Sequence, residues 1–325
     1  ILNLIKDLVK DYKLLGIYPV DNTLYDRHSR LNVGIIGFGS FGQFISEELN
    51  KTHNLFISSR TDYSELCNKK GYKFYKDIES WLDNSLDVIL IAVSINSFKT
   101  VLEKVVDIGK KKNKLKNILF VDVLSVKEYP KKIFLDKLPY ECDILCTHPM
   151  FGPNTIKNKI IEETKWSNLP IVYEKVRINN NSLFNKFFKS FEMCNCYELL
   201  CEYHDLKLAN SQFIVHLTTN IIKNIIIEKL SEENDNGNNN ENNNENDNDN
   251  DNNNNDITNI NNSQINNNNN IKDFTPPSFN YLLNMVNITK NTSSDLFEGI
   301  FKYNKYCKKI LDKYDLNYNK IRELL

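Results

Sequence analysis

Three of the five histidines in this chain lie in segments where acid–base chemistry is plausible. His148 ends an apolar run and is followed directly by proline in the stretch DILCTHPMFGP, residues 143–153. His204 and His216 lie within a single helical segment. Because an imidazole has an unperturbed pKa of about 6.5, it exchanges a proton readily near neutral pH. The histidines are therefore the first candidates for a general acid or base.

Hydroxyl and ammonium groups follow the ends of two other apolar runs. Ser94 closes DVILIAVS, and Ser125 and Lys127 follow ILFVDVL. The carboxyl ends of strands in an open α/β sheet line the crevice where ligands bind. We therefore expect these three residues at the same edge as His148, although Ser125 could be an ordinary turn hydroxyl and Lys127 a solvated charge.

The helical segment around His204 contributes further polar groups. Gln212 and His216 are four residues apart and share a helix face, and Asp205 falls on the same stripe seven residues before Gln212. The alternative is structural, because a lone helical histidine commonly satisfies a local contact and an acid near a helix start is favoured by the dipole.

A glycine turn follows the first apolar run and precedes an amphipathic helix. Its six residues fit the pattern GxGxxG and are Gly37, Phe38, Gly39, Ser40, Phe41 and Gly42. The pattern permits a tight turn and lets a pyrophosphate approach the helix N-terminus, where free N–H groups favour an anion. In this strand–turn–helix context it predicts dinucleotide binding.

The end of the second strand indicates which dinucleotide is bound. An NAD site carries an acid at this position to bond the ribose hydroxyls. Here the residues are Ser59, Arg60 and Thr61, which suit a 2′-phosphate through charge-assisted hydrogen bonds. The sequence therefore favours NADP over NAD, while Asp62 keeps NAD open.

The elements that position these residues predict an α/β fold. Apolar runs alternate with helical segments from residue 31 onward, which is typical of a Rossmann-type, doubly wound parallel sheet. We predict an N-terminal extension (1–30), a dinucleotide-binding domain (31–178) and an all-helical substrate and dimerisation domain (179–325). A disordered Asn-rich insertion (234–272) interrupts the last, because such a polar tract cannot bury enough apolar surface to order itself.

Composition narrows the class of partner. The formal net charge of −1 gives no indication of nucleic acid or a membrane surface, and no apolar run approaches the length of about eighteen residues typical of a membrane span. Cys194, Cys196 and Cys201 lie close in sequence, yet no histidine or second pair completes a metal site, so reduced thiols are favoured and no metal is predicted. We expect a cytoplasmic protein with His53 on its surface, and leave open a targeting segment before Ile1.

Several stretches together resemble the arogenate/prephenate dehydrogenase family, and within it the plant-type arogenate dehydrogenases. They are VGIIGFGSFGQF (33–44), SSRTDYSEL (58–66), LFVDVLSVKEYP (119–130), DILCTHPMFGP (143–153), WSNLPIVYEKVRI (166–178), HDLKLANSQFIVH (204–216) and DLFEGIFKYN (295–304). The resemblance implies oxidative decarboxylation of a cyclohexadienol in tyrosine biosynthesis, and a homodimer formed through the helical domain.

The resemblance also implies a role for each candidate. His148 would take the proton of the ring hydroxyl, and Ser125 would bond the same hydroxyl or orient the imidazole. The substrate's polar groups would be bound by His204, Gln212, His216 and Lys127, with Asp205 facing the substrate or supporting from behind.

Two questions stay open at the level of sequence. Bacterial relatives hold a substrate carboxylate with an arginine that is absent from 287–295, where Lys290 is a weak substitute. A carboxylate such as Asp205 or Glu202 favours the ammonium of arogenate, whereas prephenate is the alternative substrate. Two alternative functions are also consistent with the sequence. They are a different NADP-linked β-hydroxyacid-type dehydrogenase and a non-catalytic dinucleotide-binding module.

Overall fold

The computed structural model of the chain describes residues 30–153, 166–237, 285–286 and 294–324. Most of the predicted N-terminal extension, the larger part of the Asn-rich insertion (238–272) and Lys290 lie outside the described residues. Helix α8 (Ile214–Gly237) continues past residue 234, where the insertion was predicted to begin.

One eight-stranded sheet organises the described residues, with strand order β3-β2-β1-β4-β5-β6-β7-β8. Every neighbouring pair is parallel except β6 and β7. The strands are β1 (Asn32–Ile36), β2 (Asn54–Ser58), β3 (Lys73–Tyr75), β4 (Val88–Ile91), β5 (Leu119–Asp122), β6 (Asp143–Pro149), β7 (Pro170–Arg177) and β8 (Asn195–Glu198). The predicted α/β architecture is thereby confirmed.

Helices connect the strands and cover the sheet. In chain order they are α1 (Ser40–Leu49), α2 (Ser64–Lys70), α3 (Ile78–Trp81), α4 (Phe98–Lys111), α5 (Glu128–Lys137), α6 (Asn181–Phe188), α7 (Cys201–Leu208), α8, α9 (Ser294–Tyr303) and α10 (Cys307–Leu324). The inner strands β4 and β5 are buried over their whole length, as their run of apolar residues predicts for parallel strands covered on both faces.

The sheet extends further along the chain than the sequence predicts. Strand β8 pairs in parallel with β7, so the sheet ends at Glu198 rather than near residue 178, and the segment after 178 is not entirely helical. The four residues of β8, NCYE, carry no periodic apolar pattern that would reveal a strand.

The described residues fall into two compact units. One lies within Ile1–Phe213 and Ser293–Leu325, and the other lies within Ile214–Thr292. Helices α9 and α10 therefore belong to the same unit as the sheet, whereas α8 belongs to the second unit. In the first unit, Phe213 stacks on Phe297 and Phe301 with ring centroids 5.6 and 5.8 Å apart. Within the described residues, no helix is both long enough and apolar enough to cross a membrane.

His53 is buried, in contrast to the surface position expected from the sequence. Its Nε2 lies 2.8 Å from the Ser190 hydroxyl, and its ring stacks on Phe187. Burial lowers the pKa of His53 to about 4, and the positive charge of Arg30 acts in the same direction. The position follows the exposed, polar residues Lys51 and Thr52, so the local sequence gives no signal of burial.

The depressed pKa of His53 makes stability depend on pH. The unfolded chain protonates this histidine near pH 6.5 and the folded chain only near pH 4, so stability falls as the pH drops through that window. Between pH 7 and pH 4.5, we expect the unfolding free energy of the His53→Gln variant to fall by about 2–3 kcal/mol less than that of the wild type. Urea unfolding of both proteins at the two pH values measures this difference, and equal losses would contradict it.

Candidate active site

The glycine turn lies between β1 and α1. Gly37 has a φ of +94°, and a Cβ at this position would lie 2.5 Å from the backbone oxygen of Ala92. A Cβ on Gly42 would lie 2.3 Å from the Gly37 oxygen. Only glycine satisfies both the left-handed backbone and the close approach of helix to strand. The turn therefore has the tight geometry that the motif predicts.

The middle of this turn is open. Gly39 precedes α1, and a Cβ there would meet no atom within 4 Å. Ser40 is also exposed, which leaves the first N–H groups of the helix accessible to an anion. The side chain of Phe38 instead packs in the core against Tyr63, so its part in the turn is limited to the backbone. Phe41 packs against Phe44.

After β2, the Arg60 side chain is exposed, whereas the Asp62 carboxylate is hydrogen-bonded within the protein. Arg60 and Thr61 are exposed and Ser59 is half-buried. Asp62 Oδ1 accepts the Ser64 N–H at 2.9 Å, where α2 begins, and this bond lowers the pKa of Asp62. Asp62 thus serves the start of a helix, which weakens the argument for NAD that its presence raised.

Two histidines and a carboxylate form a buried chain of hydrogen bonds. His148 Nδ1 lies 2.8 Å from His204 Nε2, and His204 Nδ1 lies 2.9 Å from Asp205 Oδ1. His148 is the penultimate residue of β6, and the other two residues lie on α7. The Asp205 carboxylate also accepts the backbone N–H groups of Lys127 at 2.7 Å and Glu128 at 2.9 Å.

The Asp205 carboxylate ends this series of hydrogen bonds and determines which nitrogen carries the proton in the rings of His204 and His148. An ionised carboxylate only accepts, so His204 donates from Nδ1, and a neutral His204 ring then presents the lone pair of Nε2. His148 must then donate from Nδ1 to His204, which leaves the lone pair on His148 Nε2. Burial lowers the pKa of His148 well below its usual value, and His204 and Lys127 contribute to the decrease. His148 is therefore a neutral imidazole with its accepting nitrogen set by its neighbours.

This geometry bears on the predicted roles of His204 and Asp205. Both ring nitrogens of His204 and both carboxylate oxygens of Asp205 are occupied by protein groups. These hydrogen bonds to the protein favour a supporting role for both residues. Of the two roles predicted for Asp205, the contacts favour the one in which it supports the histidines from behind.

Lys127 likewise lies beneath the site rather than facing the crevice. Its side chain is buried, and its ammonium group donates to the Asp122 carboxylate and, at 2.5 Å, to the Thr147 carbonyl. Thr147 precedes His148 on β6, and its hydroxyl donates to the Asp122 backbone oxygen at 2.6 Å. These contacts favour a role for Lys127 in supporting His148, and its predicted contact with the substrate stays a prediction.

The serine candidates lie on loops that follow parallel strands. Ser125 is half-buried between β5 and α5, and Ser94 is exposed after β4, where its hydroxyl donates to Ser97 at 2.9 Å. Both loops leave the sheet at its carboxyl edge, as the sequence predicts. In the described part of the chain, no group of three His, Cys, Asp or Glu side chains is arranged to hold a metal ion.

A π-helical segment, Ala209–Phe213, follows α7 and contains Gln212. Because a π segment bonds i to i+5, it rotates later residues relative to an ideal α-helix, and the predicted stripe from Asp205 to Gln212 does not have simple α-helical spacing. Gln212 is half-buried. His216 lies in the second unit, where it is buried and burial lowers its pKa.

The sequence reasoning missed three residues that support this site. They are Asp122, Thr147 and Asn304. Asp122 carried a signal, because it is the single charged residue in the apolar run ILFVDVLS. Thr147 acts through its backbone carbonyl, and the Asn304 side chain binds the backbone oxygen of Asp205, so neither contact has a sequence signal.

Comparison with known proteins places this chain in a family. The family model described as "Prephenate dehydrogenase, nucleotide-binding domain" matches residues 58–193, and "TYRAAT1-like, C-terminal domain" matches residues 275–325. The chloroplastic arogenate dehydrogenase 2 of Arabidopsis thaliana is 33% identical over 308 residues, which are 93% of this chain and 72% of that protein. The chain belongs to the arogenate/prephenate dehydrogenase family.

Two further comparisons extend the likeness. Arabidopsis arogenate dehydrogenase 1, also chloroplastic, is 34% identical over 304 residues, covering 91% of this chain but only 39% of that longer protein. The solved structure of prephenate dehydrogenase from A. aeolicus, in complex with hydroxyphenyl propionate and NAD+, superposes with a TM-score of 0.61. It covers 92% of each chain at 13% sequence identity, so this second likeness concerns the fold alone.

The buried pair of Lys127 and Asp122 predicts a large effect on stability. Removing the ammonium with Lys127→Met leaves a buried carboxylate without its partner, which costs about 3–5 kcal/mol of unfolding free energy. The double variant Lys127→Met/Asp122→Leu should recover part of that loss, because it removes both charges. Urea unfolding of the three proteins tests this, and a double variant no more stable than the single one would contradict it.

Proposed function

We propose that this chain catalyses the NADP-dependent oxidative decarboxylation of arogenate to tyrosine. The observation that carries the proposal is the buried chain from Asp205 through His204 to His148, which leaves His148 Nε2 as a proton acceptor. The bound dinucleotide would supply a hydride acceptor for the ring carbon that bears the hydroxyl. The C–C bond to the ring carboxylate then breaks, CO₂ leaves, and its electron pair completes the aromatic ring.

Residues of this chain would accept the proton of the ring hydroxyl. As the hydroxyl-bearing carbon becomes carbonyl-like, the O–H proton would pass to His148 Nε2, and it would return to the phenolate oxygen once loss of CO₂ has formed the aromatic ring. The lowered pKa of His148 keeps the ring neutral and ready to accept at neutral pH. His204 and the Asp205 carboxylate orient the ring and stabilise the positive charge that develops on it. Ser125 would bond the same hydroxyl from the neighbouring loop.

The identity of the dinucleotide rests on the residues after β2. Arg60 is exposed and Asp62 is engaged at the start of α2, so a 2′-phosphate would meet a guanidinium and the hydroxyls of Ser59 and Thr61. The backbone of the glycine turn would hold the pyrophosphate, and Ser94 would border the cofactor. NAD is the alternative, and it is the dinucleotide in the solved A. aeolicus relative.

The preference for arogenate is supported by the two Arabidopsis relatives, which are arogenate dehydrogenases. The electrostatic argument from Asp205 does not add to it, because that carboxylate is occupied by protein donors. Prephenate, which would give 4-hydroxyphenylpyruvate, is the alternative substrate. Gln212 and His216 remain the proposed substrate-binding residues of the helical segment, and a cytoplasmic homodimer remains the expected assembly.

The central experiment measures the NADPH formed with arogenate, prephenate and a panel of β-hydroxyacids. We expect turnover of arogenate above prephenate. The variant His148→Ala should lose about 10²- to 10⁴-fold in kcat, with little change in affinity for NADP. The variant His53→Gln is the matched control, because it changes a buried histidine outside the site and should keep the wild-type kcat.

Each alternative has its own outcome in this assay. Turnover of a β-hydroxyacid alone would identify a different dehydrogenase, and NADP binding without any turnover would identify a binding module. Near wild-type kcat in His148→Ala would make His148 a structural residue.

The role of Arg60 predicts a change in cofactor preference. Arg60→Ala removes the charge-assisted bonds to a 2′-phosphate, so KM for NADP should rise about 10- to 100-fold while KM for NAD changes less than about twofold. Lys69→Ala on the exposed face of α2 is the matched control for loss of one surface charge. Equal increases for both cofactors would refute contact with the 2′-phosphate.

A further inference from the structure

Asn304 is a fully buried polar residue just after α9, and both ends of its amide are used. Its Nδ2 donates to the backbone oxygen of Asp205 at 2.7 Å, and its Oδ1 accepts the Tyr306 N–H at 3.0 Å. Only 1% of Asn304 is exposed. The C-terminal segment therefore reaches the residue that carries the buried carboxylate of the site.

The carbonyl that Asn304 binds lies where the helix changes its hydrogen-bonding pattern. The Asp205 oxygen also accepts the N–H of Ala209, the first residue of the π segment. A carbonyl has two lone pairs, so the Asn304 amide uses the second. This bond therefore holds the end of α7 at the junction, one residue after His204.

Asn304 is itself held in place from several sides. Tyr303 stacks on Tyr129 of α5 with ring centroids 4.0 Å apart, and the Lys305 ammonium lies 2.8 Å from Glu128. A Cβ on Gly299 of α9 would lie 2.9 Å from the side chain of Ile95, so that helix packs closely on the loop after β4. Because these contacts fix the end of α9, the Asn304 amide is a rigid anchor.

We propose that Asn304 is a positioning residue for the reaction of this site, an inference that rests on the proposed function. It fixes α7 so that the Asp205 carboxylate, the His204 ring and the His148 ring remain in line. Each link is 2.8–2.9 Å long, and a displacement of about 1 Å would break it. The charge that develops on His148 would then lose its buried counter-charge.

The alternative is that Asn304 only closes the end of α9, and the two roles predict different kinetics. If Asn304 acts through His204, removing its amide matters only while the His204 ring is present. Non-additivity of the two substitutions therefore measures the positioning role, whereas a general loss of packing would act equally in both backgrounds.

The experiment compares Asn304→Leu and Asn304→Asp in wild-type and His204→Asn backgrounds. We expect Asn304→Leu to lower kcat about tenfold in the wild-type background and less than about twofold beside His204→Asn, with KM for NADP unchanged. Asn304→Asp keeps an acceptor for the Tyr306 N–H but places a carboxylate against the Asp205 carbonyl. Its kcat should therefore fall as much as that of Asn304→Leu. Asn180→Ala, which removes a helix cap at α6, is the control for modest destabilisation and should keep kcat.

An equal fall in kcat in both backgrounds, or no fall in either, would overturn the proposal. Nitrogen NMR of the imidazoles separates this failure from failure of the proposed function. The wild type should show His204 protonated at Nδ1 alone, and Asn304→Leu should lose this single form. Without turnover of either cyclohexadienol the proposed function fails, while retention of the single form in Asn304→Leu overturns the positioning role in any case.

Discussion

The rest of the site depends on one buried carboxylate. Asp205 receives N–H groups from the backbone of Lys127 and Glu128 and from the ring of His204. A buried charge without partners is costly. The hydrogen bonds that satisfy the Asp205 carboxylate therefore hold the loop after β5 against helix α7. The same interaction fixes the proton of His204, and through it the accepting nitrogen of His148. The hydrogen bonds that stabilise the buried carboxylate thus also orient the histidine rings.

Lys127 connects this carboxylate to the sheet. Its backbone N–H binds Asp205, while its ammonium binds Asp122 at the end of β5 and the Thr147 carbonyl on β6. Burial raises the pKa of Asp122, and the charge of Lys127 opposes that increase. Burial is the main cause of the lowered pKa of His148, and the same ammonium adds to it, so Lys127 acts on both the position and the protonation of that ring.

The sequence predicted the features that have a local pattern. The glycine turn, the parallel strands and the position of His148 at a strand end all follow from spacing and apolar periodicity. It did not predict that Lys127 and Asp205 satisfy buried partners, because residue type alone does not distinguish a charge facing the crevice from one beneath it. The register of Gln212 was unpredictable for another reason, since the π segment interrupts the periodicity on which the expected stripe depended.

The burial of Asp205 also changes the argument about substrate. Arogenate carries an ammonium group where prephenate carries a ketone, so a nearby carboxylate was expected to select between them. The Asp205 carboxylate is buried and already accepts three N–H donors from the protein, so its charge is largely used within the fold. The other acid considered, Glu202, is exposed and lies 3.3 Å from both the Lys305 ammonium and the Tyr306 hydroxyl. If the enzyme selects arogenate by charge, we expect a group other than Asp205 to contribute, and Glu202 could do so by exchanging its lysine for the substrate.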